Sequence, residues 1–182
     1  MMLKIVPIGD VPESVMTHVK DEMENLNIES RIMNKIPVPK EALNPWNKQY
    51  NARALIELLS NSSEVKFIEQ SIYTLMITNV DMFYEKSSFV FGIEYPAKSC
   101  AIVSLARLRP EFYGERPSMW TVEERVSKEA IHEIGHHLGL EHCSFSKCVM
   151  SFSSTVFDID KKEKDFCNEC KLKMMTRGIS IG

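Results

Sequence analysis

The sequence predicts an α/β protein, α+β in detail: a mixed, mostly parallel, twisted sheet with helices on its faces, then one long helix and a small helical C-terminal part. Three observations carry this. Through the first half, segments with apolar residues at helical spacing alternate with short β-type runs, the pattern of strands joined by crossover helices. The run Cys100–Leu108 is rich in apolar residues, as expected of a strand inside a sheet covered on both faces. From Thr121 onward the signals are those of helices and loops.

In chain order, Leu3–Asp10 (LKIVPIGD) reads as a buried opening strand that ends in a turn. Pro12–Asn25 places Val15, Met16, Val19 and Met23 at helical spacing, and Ile28–Met33 alternates loosely as a second strand. Three prolines make Ile36–Trp46 a loop. Gln49–Ser60 reads as a second helix with Tyr50, Ala54, Leu55, Leu58 and Leu59 on its apolar face. Strands are expected at Ser71–Asn79, Ser88–Tyr95 and Cys100–Leu108, and Pro110 and Pro117 bracket a loop. Thr121 to Glu124 has the T-x-x-E form of a capping box. Val122, Val126, Ala130, Ile134 and Leu138 continue that helix until Gly139, which suits a left-handed cap. A second such box, Asp160 to Glu163, opens a final helix expected to run to about Arg177, before Gly178.

The chain has 182 residues, the length of one domain, divided into an N-terminal part (1–139) that includes the long helix and a C-terminal part (140–182). Hydrophobic and charged contents of 44% and 26% are those of an ordinary globular protein. A net charge of −3 provides no general cationic field, so neither nucleic acid nor an anionic membrane is an expected partner. No apolar stretch approaches the roughly 20 residues of a membrane span. The opening MMLKIVPIGD holds only a short apolar run broken by Pro7 and Gly9 and lacks a small-residue cleavage site. The expectation is a cytoplasmic monomer.

HEIGHHLGLEHC (132–143) holds four of the five histidines and one of the five cysteines. On a helix, residues i and i+4 share a face about 5–6 Å apart. His132 and His136 can therefore present both imidazoles to one metal ion, with Glu133 projecting from the next helical position. Gly139 stops the helix, and the left-handed turn it permits brings His142 back as a third nitrogen donor. Three neutral imidazoles leave zinc an open fourth position, the arrangement of catalytic rather than structural sites. Zinc held in this way lowers the pKa of a bound water toward about 7 and polarises a carbonyl. Glu133 would take that water's proton and pass it to the leaving amine, which hydrolyses an amide without a covalent intermediate. His137 points about 100° away around the helix, so it is read as a surface or supporting residue and not as a ligand.

Cys143, Cys148, Cys167 and Cys170 fall within 28 residues. In a reducing compartment such a cluster reads as a metal site, with two disulfides as the alternative. Cys167 and Cys170, i and i+3 on the expected last helix, turn both sulfurs one way. Four thiolates make a closed, structural zinc site, for two zinc ions per chain. It would pin the last helix to the loop carrying His142, and because His142 and Cys143 are neighbours, losing one metal should disturb the other. Cys100 is expected to be an ordinary buried thiol.

HExxHxxGxxH resembles the motif of the metzincins, zinc peptidases with a methionine in a tight turn beneath the metal. Met150, eight residues after His142 and within the triplet Cys148–Met150, matches that methionine. The whole series, HExxHxxGxxHC followed by CxM and CxxC, resembles more specifically the archaemetzincins; the match covers residues 132–170, with a Met150–Cys167 spacing slightly short of the family's. The resemblance implies a single metzincin-like domain and a metallopeptidase with one catalytic and one structural zinc, without naming a substrate. It also implies that an extended peptide or small protein pairs with the sheet edge beside the active-site helix. Ser88–Tyr95, with its glycine and following Pro96, is the candidate edge, and Phe152–Phe157 the candidate pocket wall.

Two other functions compete. A zinc-binding scaffold without turnover would have no need of Glu133. A protease that clears proteins linked to DNA can also combine HExxH with a cysteine zinc site, but the charge of −3 and the lack of a basic tail weigh against it.

Overall fold

The computed structural model describes residues 2–63, 65 and 72–179. Strand β1 (Met2–Ile8) buries Leu3, Ile5, Val6 and Ile8 completely, so it must lie inside a sheet covered on both sides. It pairs in parallel with β2 (Glu29–Ile32) on one side and with β5 (Ile72–Thr78) on the other. β5 pairs in parallel with β8 (Cys100–Ser104), and β7 (Gly92–Tyr95) runs antiparallel along β8 at the edge. The order is β2-β1-β5-β8-β7, the mixed, mostly parallel sheet that the alternating pattern predicts.

Successive side chains on a strand point to opposite faces, and this alternation sorts the core into two layers. Leu3, Ile5, Tyr73, Leu75, Ile77, Ala101 and Val103 face α1 (Glu13–Asn25) and α3 (Met119–His137). Val6, Ile8, Met76 and Ile102 face α2 (Ala52–Leu59). α3 packs on α1, β7 and β8 through Val122, Val126, Ala130 and Ile134. The edge strand and the histidine-bearing helix are therefore neighbours.

Several boundaries differ from the local reading, each because of a distant partner. Gln49–Asn51 forms β4, which pairs with β3 (Leu43–Asn44) and β6 (Met82–Phe83) in a second, small sheet. Tyr50 is thus on a strand, Asn51 caps α2 by accepting from the Ala54 amide, and α2 buries Ala52, Leu55, Ile56 and Leu59 while Leu58 stays exposed. Of the expected strand Ser88–Tyr95 only Gly92–Tyr95 pairs with β8, because Val90 bridges to Met82 instead. β8 ends at Ser104, whose hydroxyl donates to the Val80 carbonyl. Ser71, the expected start of β5, lies outside the described residues.

α3 begins before Thr121. Ser118 is its N-cap and accepts from the Thr121 amide, while the Thr121 hydroxyl donates to Ser118 Oγ. The expected final helix is two. α4 (Val156–Lys161) is opened by a box of Thr155 and Asp158, and α5 (Asn168–Thr176) begins after Cys167. Between them the chain is tied to the Met150 loop, with Glu163 donating to the Lys147 carbonyl and the Val149 amide donating to Asp165. That pairing competes with continued helix and wins.

The identity of the cap is testable by urea denaturation. Ser118→Ala should cost about 1 kcal/mol, the usual loss for an N-cap serine, and Thr121→Ala clearly less. The reverse order would restore Thr121 as the cap.

Candidate metal centre

α3 stops where the site needs it to. Gly139 has φ 85°, a left-handed conformation that side chains resist, and the Leu140 and Gly139 amides donate to the Gly135 and His136 carbonyls at 2.9 and 2.8 Å. The chain reverses and returns His142 to the other two rings. Ring centroids of His132 and His136 are 4.6 Å apart, and those of His142 lie 5.3 and 4.9 Å from them. One ligand nitrogen from each histidine lies within 4.8 Å of the others.

Hydrogen bonds orient two of the rings. His132 Nδ1 donates to the Val149 carbonyl and His136 Nδ1 to the Leu140 carbonyl, both at 2.8 Å. With the proton on Nδ1, each Nε2 carries a lone pair, and these two nitrogens face each other at 3.1 Å. A shared cation resolves that opposition, so the donor set fits a zinc ion. Burial lowers the proton affinity of all three rings, taking His132 down to about 2. They therefore present lone pairs rather than protons.

Met150 is fully buried against Gly135 of α3, between His132 and His136 in sequence; a Cβ at Gly135 would collide with the Met150 sulfur. Glu133 is buried with Oε1 against the backbone of Gly92, and its carboxylate accepts from the Glu94 amide. Burial pushes its pKa well up, with Glu129 and Glu94 acting the same way and Lys162 opposing. Glu133 and the three histidines line a cleft of about 700 Å³, with Gly92–Glu94 on one side and Phe152–Ser154 on another. Phe152 packs 5.2 Å from the His142 ring, but Val156 is in the core and Phe157 is outside the cleft, so only the start of the expected wall lines it. His137 stacks on Tyr73 at 3.8 Å with Nδ1 3.9 Å from Glu94, away from the ligand group.

The four cysteines form a second group, with sulfurs within 4.8 Å of one another. Cys143 and Cys167 are 3.7 Å apart, Cys148 and Cys170 3.8 Å. A tetrahedron of sulfurs about 2.3 Å from zinc has edges of roughly 3.8 Å, whereas a disulfide brings sulfurs to about 2.05 Å. The spacing fits the metal and not two disulfides. Cys167 precedes α5 as its N-cap, so only Cys170 is on the helix, in its first turn. Cys100 is buried on β8, away from both groups, its pKa pushed up to about 12 by burial. A third cluster, His18, Glu22 and Glu124, already holds a cation, the Lys164 ammonium at 2.6 and 2.9 Å from the two carboxylates.

Sequence reasoning passed over one buried pair. Lys162 Nζ lies 2.8 Å from Glu129 Oε1, with Glu129 on the histidine face of α3. The i−3 spacing of Glu129 from His132 is a signal; nothing local marks Lys162, which falls within the expected final helix.

Comparison with known proteins points the same way. The sequence model of Peptidase family M54 matches residues 8–176. An archaemetzincin of Methanocaldococcus jannaschii is 38% identical over 181 residues, covering 100% of this chain and 97% of that one. The solved structure of an archaemetzincin from Methanopyrus kandleri superposes with a TM-score of 0.81 at 32% identity, covering 97% of this chain and 94% of its own. A zinc-dependent peptidase from Methanocorpusculum labreanum does so with a TM-score of 0.84 at 28% identity, over 94% and 99%.

The link through Val149 predicts that the two groups are coupled. Cys148→Ser should lower zinc content by one ion and free the Val149 carbonyl from its fixed place. Zinc at the histidines should then be held at least about tenfold more weakly, the usual penalty for losing an outer hydrogen-bond partner. Competition with a chelator measures this, and unchanged affinity at the histidines would contradict the coupling.

Proposed function

The chain belongs to peptidase family M54, the archaemetzincins, and is a zinc metallopeptidase; we propose that His132, His136 and His142 hold its catalytic zinc and that Glu133 is the base. The observation that carries this is the opposed pair of Nε2 atoms, joined by His142 and opening onto the same cleft as Glu133. Zinc at these nitrogens supplies Lewis acidity, activating water and polarising the scissile carbonyl. Cys143, Cys148, Cys167 and Cys170 hold a second, structural zinc, and Met150 packs against Gly135 of α3.

Glu133 accepts the proton that water must lose and delivers it to the leaving nitrogen. Its burial suits the middle of that sequence, because a carboxyl with raised proton affinity can carry a proton between the two steps. The Glu94 amide keeps the carboxylate pointed into the cleft. The substrate is a peptide. β7 ends the sheet beside the cleft, and the outward backbone groups that Glu133 leaves free offer an extended chain the hydrogen bonds of an added strand. Phe152 supplies apolar surface next to His142.

Residues 1–182 act as one peptidase domain, and a site complete within one chain supports a monomer. Free cysteines at metal-type spacing support a reducing, cytoplasmic setting. None of the described helices is long and apolar enough to cross a membrane. The charge of −3 supports a reading without nucleic acid.

Glu133→Gln tests the assignment. The variant should keep both zinc ions and lose at least about a hundredfold in kcat/KM, the low end of what a positioned general base contributes. Equal hydrolysis by zinc-loaded wild type and variant would remove Glu133 as the base. A wild type with two zinc ions that cleaves nothing in a broad peptide library would leave the non-hydrolytic scaffold.

A further inference from the structure

The reaction above makes no use of the ion pair between Lys162 and Glu129, whose side chains are 0% and 5% exposed. Burying such a pair costs several kcal/mol of desolvation per ion, and apolar residues of similar size often serve stability as well or better. Such a pair is therefore weak evidence for stability and leaves room for another role. Glu129 stands three residues before His132, four before Glu133 and seven before His136, so it shares their helix face and lines the same cleft. A free carboxylate at that place is a competing ligand, since zinc accepts carboxylate oxygen alongside imidazole nitrogen.

The structure shows what restrains it. Glu129 Oε1 meets Lys162 as an ion pair and accepts no hydrogen bond, and Glu129 is not among the three residues whose ligand atoms gather at the site. Lys162 is delivered by the break after α4, where its backbone turns extended at φ −78° and ψ 152°. Its ammonium also reaches the Ser151 carbonyl, at 3.5 Å, on the loop that carries Met150. Lys162 is thus held between α3 and the loop that carries Met150.

We propose that Lys162 is a positioning residue that holds Glu129 off the catalytic metal and so keeps the fourth coordination position open for water and substrate. The inference rests on the three-histidine site proposed above. Without the ammonium, Glu129 has no buried counter-charge, and the nearest available one is the metal itself. Its carboxylate then closes the site.

The test compares wild type, Lys162→Met and the double variant Glu129→Gln/Lys162→Met. It uses zinc titrated against a chromophoric chelator and a peptide that the wild type cleaves. Lys162→Met should hold zinc at the histidines about tenfold more tightly and lose at least about tenfold in kcat/KM, changes of the size outer partners produce. The double variant, with no carboxylate to intrude, should regain most of both. A pair with only a structural role would weaken zinc binding, so unchanged or looser binding by Lys162→Met overturns the proposal. A double variant as inactive as the single one also overturns it. Should Lys162→Met fail to fold, the double variant decides: cleavage supports the proposal, and a folded, zinc-loaded but inactive protein sinks it. A wild type whose histidines take up no zinc would instead remove the underlying site.

Discussion

The hydrogen bond from His132 Nδ1 to the Val149 carbonyl is the contact around which the C-terminal part is organised. An imidazole is a useful ligand only if its tautomer and tilt are fixed, and that carbonyl fixes both. Everything near Val149 holds it still. Cys148 on one side belongs to the thiolate cluster, and Met150 on the other is wedged against the helix at Gly135. The Val149 amide donates to Asp165, and the Cys143 amide donates to the Met150 carbonyl. Three consecutive residues thus serve the cysteine group, a histidine and the packing against Gly135 of α3. The two candidate metal groups are joined through this one loop.

That arrangement explains which parts of the protein could be read from the sequence. The histidine set is written in local geometry: a four-residue step along a helix, a glycine in a left-handed turn and a short return to His142. Spacing alone determines it, and the sheet that supports the helix follows from alternation of apolar runs. The four cysteines are legible for another reason, since a cluster of thiols in a short span has few physical uses. The edge position of β7 was signalled by Gly92 and Pro96, which suit a strand with one unpaired side.

What escaped the sequence depends on residues far apart along the chain. Gln49–Asn51 has a helical apolar pattern but becomes a strand because β6 offers a partner some thirty residues away. Ser118 caps α3 in place of Thr121, since both offer a hydroxyl and only the tertiary path of the preceding loop decides between them. Residues 162–167 leave the helix because the loop around Met150 takes their backbone groups and Glu129 takes the Lys162 ammonium. The first and last of these are contests between a local preference and a distant partner.

The balance of charge in the cleft shows why metal and base belong together. Glu94, Glu129 and Glu133 all reach it, and Lys162 is matched to Glu129. Glu94 is pushed up to about 7 by burial, and Glu133 is pushed well up by burial and by its two acidic neighbours. A carboxyl in that position favours its proton and is a poor base. Positive charge at the three histidines acts on Glu133 in the opposite direction to burial. A dication held by those histidines would offset the surplus of acid groups and favour the ionised form of Glu133. An apolar replacement for Glu94 would lower the surplus of acid in the cleft, and an unpaired Glu129 would raise it.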